Sequence, residues 1–135
     1  MYSDNVCTSL LGESTITDLI SQYSNSPAIF NFEPAPLDST GLIITVVDSF
    51  TGVQDTRLSD GGNIELTIKI WGNKSYDLSS LYNVADVVRN FLHRKTDYTL
   101  DVGEVIMGKC GLPQFTTVGD YPLALMQLNL KVMDI

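Results

Sequence analysis

The stretch NIELTIKIW (63–71) alternates without a slip. Ile64, Leu66, Ile68 and Ile70 fall on one side, and Asn63, Glu65, Thr67, Lys69 and Trp71 on the other. A period of two is that of a strand with one face on a core. The closing stretch YPLALMQLNLKVMDI (121–135) repeats the pattern. Ala124, Met126, Leu128, Leu130 and Val132 point inward, and Leu125, Gln127, Asn129 and Lys131 outward. LIITVVDSF (42–50) is instead apolar and β-branched on both sides, which predicts a central strand covered on both faces.

Between these strands the period changes. Over 78–94, Leu78, Leu81, Ala85, Val88, Phe91 and Leu92 form one helical stripe, widened by Val84 and Val87. Asp77 is placed to cap that helix. Asp77 and Asp86 lie toward its start, and Arg89, His93, Arg94 and Lys95 gather at its end, an order that suits the helix dipole. A shorter helix is predicted over 4–12, with Asp4 or Asn5 as cap, followed by a second short helical piece over 14–21. QYSNSP (22–27) reads as a turn-rich break, AIFNFE (28–33) as a short strand, and PAPLDSTG (34–41) as loop.

The segment TGVQDTRLSDGG (51–62) is polar, mixed in charge and too long for a tight hairpin. It is either an arm that touches a neighbour or a plain surface loop. LDVGEVIMGK (100–109) and PQFTTVGD (113–120) are weaker strand patterns separated by CGLP. The order of elements predicts an α+β fold: a mainly antiparallel sheet packed against an N-terminal helix and one long central helix. A length of 135 residues suits one domain with a core of its own.

Composition narrows the function classes. Charged residues make up 18% of the chain, below the roughly 25% usual in soluble domains, which points to a surface partly covered by partners. The formal net charge of −8 argues against a free-standing nucleic-acid binder, whereas an acidic wall lets a duplex pass without sticking. The first residues show no basic-then-apolar leader, and runs such as LIITVV (42–47) are too short to cross a bilayer, so a cytoplasmic protein without a membrane partner is expected. Cys7 and Cys110 stand far apart in sequence and read as reduced thiols.

Candidate chemistry is sparse. His93 is the one histidine, placed in the last turn of a helix beside Arg94. With Cys7 and Cys110 it completes only three Cys or His residues, and no zinc-like spacing links them. Asp101 and Glu104, three apart on a strand, face opposite ways. SDGGN (59–63) lacks the context of a phosphate loop, and its glycines suit a turn before a strand. Trp71 ends its strand on the outward face, either in a small cluster under the 72–77 loop or as an interface anchor. No catalytic residue, metal or cofactor is expected, and the chain does not read as an enzyme.

Three stretches carry a resemblance. IELTIKIWGN (64–73) is an alternating strand ending in an aromatic residue. SYDLSSLYNVADVVRNFL (75–92) is the helix that follows after a short polar gap, and YPLALMQLNLKVMDI (121–135) is a closing strand. In this order they resemble the tail-terminator (tail-completion) family of long-tailed bacteriophages, while the segment 95–120 matches nothing diagnostic in it. The resemblance implies a structural virion protein at the junction of tail and neck, assembled in the host cytoplasm. It would form a ring with copies of itself, generally a hexamer. That ring would cap the tail tube protein, stop its polymerisation and present a surface to the neck and head-completion proteins, with DNA passing through its lumen. Subunit contacts are expected at the 51–62 segment, with Asp55, Arg57 and Asp60 as rim charges and Phe50 and Trp71 as apolar anchors. Glu65, Thr67 and Lys69 form a weaker outward row. The alternatives are a head-completion or neck connector on the portal side and, from another class, a small-ligand binding domain with an apolar pocket.

Overall fold

The computed structural model describes residues 2–20, 22–23, 26–31, 42–48, 62–72, 78–98, 104–118 and 121–133. Its helices are α1 (Tyr2–Leu11), α2 (Ser14–Thr17) and α3 (Leu78–Leu92). The strands are β1 (Gln22–Tyr23), β2 (Ser26–Pro27), β3 (Ile29–Phe30), β4 (Ile43–Asp48), β5 (Gly62–Trp71), β6 (Glu104–Cys110), β7 (Gln114–Val118) and β8 (Tyr121–Met133). The main sheet runs β3-β4-β5-β8-β6, and β7 also pairs with β8. Among the described residues only β3 and β4 pair in parallel. This is the α+β architecture expected, with a mainly antiparallel sheet.

The two stretches with the cleanest alternation pair with each other. β5 and β8 stay in register from Gly62 opposite Val132 to Trp71 opposite Leu123. That register puts Ile64 across from Leu130, Leu66 from Leu128 and Ile68 from Met126, all buried. Each such side chain contributes roughly 1.5–3 kcal/mol by leaving water. α3 lays Leu81, Val84, Ala85, Val88 and Leu92 onto this face, and α1 adds Val6, Cys7 and Leu10. β4 is buried on both faces as its composition predicts: Ile44 and Val46 belong to the core, while Ile43 and Thr45 are buried on the other side.

Some local expectations shift. Within the expected turn-rich segment 22–27, Gln22 pairs with Pro27 and Tyr23 with Ser26 as a short antiparallel ladder, and residues 24 and 25 lie outside the described residues. Of the strand expected over 28–33, the described residues show Ile29–Phe30 paired, and residues 32 and 33 lie outside the described residues. α1 begins at Tyr2, so Asp4 lies in its first turn rather than at its cap, where a carboxylate still suits the dipole. Asp77 and the side chain of Leu78 lie outside the described residues.

Candidate interaction surface

The outward side chains of β5 lie on the sheet face that α3 does not cover. Glu65, Thr67, Lys69 and Trp71 form one half-buried row. The Trp71 indole N–H donates to Thr45 Oγ1 at 3.2 Å, which gives the buried Thr45 hydroxyl a partner. Lys69 Nζ sits 5.8 Å from the centre of the Trp71 ring, within range of a cation–π contact. Gln127 Nε2 lies 3.4 Å from Glu65 Oε2, at the long end of a hydrogen bond. The row is thus tied laterally across β4, β5 and β8. Phe50, Asp55, Arg57 and Asp60 lie outside the described residues.

The far flank of the sheet is built differently. β6 and β7 both pair with the side of β8 that β5 leaves open, β7 with Tyr121–Leu125 and β6 with Leu128–Met133. A register shift between Val105 and Met107 inserts an extra residue, as in a β-bulge, and Ile106 and Met107 are exposed there. All five β7 side chains are exposed. Tyr82 of α3 meets Phe115 edge to face at 4.4 Å between ring centres. Beside them lies an open hollow of about 280 Å³, lined by Leu81, Thr116, Thr117 and Pro122 together with the two rings. Five of the seven exposed large apolar side chains among the described residues lie on β6, β7 and the link between them: Ile106, Met107, Leu112, Phe115 and Val118.

The end of α3 is fastened to β6. Opposite Leu128, Cys110 turns its backbone N–H and C=O away from β8, toward the helix. The N–H donates to His93 Nδ1 at 3.2 Å, and the carbonyl accepts from Arg89 Nε at 3.2 Å. One turn on, the Arg94 N–H donates to the Gly108 carbonyl at 3.0 Å. Arg94 takes a left-handed conformation (φ 66°), where glycine is usual at a helix end. A Cβ on Gly108 would stand 2.6 Å from the Lys95 carbonyl oxygen, so only glycine permits this crossing. The helix end thereby covers backbone groups that an edge strand would otherwise present.

Sequence reasoning assigned Arg89 and His93 to the dipole of α3 and missed this clasp. Their spacing of four, which puts both on one helix face, was the available signal. Burial first, and then the charges of Arg89 and Arg94, hold the His93 imidazole below its usual range. Burial pushes the Cys7 thiol up to about 12, with Asp4 adding to the effect, and pushes Cys110 up to about 11 against the opposing charge of Arg89. Thiols so placed stay protonated at neutral pH and are poor nucleophiles. Among the described residues no three His, Cys, Asp or Glu side chains are grouped to hold a metal, and no helix is long and apolar enough to cross a membrane.

This fold is also found in a virion. A chain from the virion of a native gene transfer agent particle superposes with a TM-score of 0.67 at 17% identity, over 94% of this chain and 90% of that one. A second solved structure, whose name carries no functional description, matches with a TM-score of 0.56 at 11% identity, over 100% of this chain and 99% of that one. No protein-family model matches the sequence, and no curated protein does. The shared architecture covers nearly the whole chain.

Proposed function

We propose that this chain is a structural virion protein that works by assembly, as a ring of copies capping the head-proximal end of a phage tail tube. The observation that carries the proposal is the fold shared with a gene transfer agent virion chain over 94% of the sequence. The tail-terminator resemblance of residues 64–73, 75–92 and 121–135 gives it its finer form. A capping ring needs a stiff wedge, and the uninterrupted β5–β8 ladder backed by α3 is of that kind. Head-to-tail contacts that close on themselves leave nothing to extend sideways, so one face meets the tube and the other ends its growth. In this reading Trp71, Phe50 and the charges Asp55, Arg57 and Asp60 contribute subunit contacts, with Glu65, Thr67 and Lys69 as a secondary row. The ring's partners are then the tube protein and the neck proteins, and DNA crosses its lumen.

Electron microscopy of lysates from the parent genome with this gene removed tests the proposal. Overlong or aberrant tubes beside unattached, DNA-filled heads are the expected result. Tails of normal length beside emptied heads would move the protein to the portal side as a connector. Normal infectious particles would overturn the structural role.

A further inference from the structure

Charge is not spread evenly along this chain. The first 56 residues contain seven carboxylates and no Lys, Arg or His, so nearly all of the net charge of −8 arises there. Part of that segment folds as β3 and β4, which form one flank of the sheet, with α1 packed on them and α2 packed against α1 and α3. Asp4 and Asp18 are exposed on that flank and Glu13 is half-buried. Among the described residues, every basic side chain except Lys69 gathers at the other flank. Arg89, Arg94 and Lys95 lie at the end of α3, Lys109 on β6 and Lys131 on the part of β8 beside it. Among the described residues three exposed carboxylates share these elements with the five cations: Asp86 on α3, Glu104 on β6, and Asp97, which is paired with Lys95 at 2.6 Å.

Apolar exposure follows the same division. On the basic flank Ile106 and Met107 are 40% and 50% exposed. On the acidic flank Leu11, beside Glu13, is 44% exposed. The basic flank thus offers exposed apolar side chains and the acidic flank one exposed leucine, each bordered by charge of opposite sign, as complementary halves of a polar-rimmed contact are.

We infer that the basic β6–α3 flank of one copy docks on the acidic α1–α2 flank of a second copy. The two surfaces differ, so the contact is heterologous and each copy leaves a matching surface open for the next. The inference rests on the ring proposed above and adds a pair of joining surfaces to the contacts assigned there to Trp71 and the 51–62 segment, although the charge argument holds without the tail assignment.

Two variant pairs test it on the full-length chain. Lys109→Glu with Lys131→Glu reverses the basic flank, and Glu13→Lys with Asp18→Lys reverses the acidic one. Glu13 makes no side-chain cap hydrogen bond, and Asp18, Lys109 and Lys131 are exposed, so circular dichroism should show each variant folded. Sedimentation at low salt and high protein concentration reads self-association. Zero-length carbodiimide crosslinking of mixed heavy- and light-isotope copies reads which flanks touch. The wild type should associate, crosslink Glu13 or Asp18 of one copy to Lys109 or Lys131 of another, and weaken as salt rises. Each variant alone should associate about tenfold less tightly, the combined effect of two rim pairs, and an equimolar mixture of the two should recover.

A wild type without such crosslinks, variants that associate as it does, or a mixture that fails to recover would each overturn the inference. Failure here with overlong tubes in the gene-deleted phage would leave the terminator role standing on other surfaces. Recovery in the mixture with normal infectious particles would do the reverse.

Discussion

The β5–β8 pair and the β6–β7 flank share a strand, yet they are held by different means. Between β5 and β8 an unbroken register brings apolar side chains together in opposite rows, so the pairing is secured by burial. Along β6 the register shifts, the apolar side chains at 106 and 107 are exposed, and the backbone of residues 108–110 is held by the end of α3. The first region withstands loss of any single polar contact. The second depends on a few directional ones, and a flank so held can present apolar and charged groups to a partner.

The comparison breaks most sharply at its shared strand. Leu128 is fully buried and faces Leu66 on one side and Cys110 on the other. Leu128→Ala removes core from both regions, and a loss of about 3 kcal/mol is expected in chemical denaturation. Both regions should then unfold together. Gly108→Ala separates them. Its new methyl meets the Lys95 carbonyl, a backbone atom that moves only if the helix end moves, and a loss of about 2 kcal/mol is expected. Hydrogen exchange should show the amides of 104–110 losing protection while those of Ile64–Ile70 keep theirs. Equal loss in both would mean that the flank is not a separate unit.

The central pair was legible because a period of two needs no partner to be recognised. Ile64 to Ile70 and Ala124 to Val132 declare their inward faces by themselves, and the buried side of α3 follows from its stripe in the same way. The α+β class follows from the order of these elements. The flank was less legible because its determinants are not periodic. The extra residue at the register shift, the close passage of Lys95 over Gly108 and the left-handed Arg94 are each set by an element distant in sequence. Among the expected contact residues, Glu65, Thr67, Lys69 and Trp71 do lie on one outward row. The exposed apolar side chains at 115 and 118 escaped notice because a strand with no buried side, such as QFTTV, carries no alternation to read, and Leu112 lies on the link before it, which has no period at all.

The smallest expected effect sharpens the comparison through pH. The His93 ring accepts a proton-bearing amide at Nδ1, so a protonated ring would set donor against donor and release Cys110. Its affinity for a proton is held below the ordinary value of 6.5, chiefly by burial and then by Arg89 and Arg94. As pH falls through 6.5 the unfolded chain takes up a proton that the folded chain resists, so stability rises with pH over this window. The contribution is complete above 6.5 and lost as pH falls toward and past the lowered folded value. The protection factor of the Cys110 amide should therefore decline between about pH 7 and 5, in the range where histidine changes charge, while protection in β5 stays level. His93→Asn offers an uncharged acceptor in place of Nδ1 and should flatten that decline. A decline that persisted in His93→Asn would trace the sensitivity to another group and leave the clasp without a part in it.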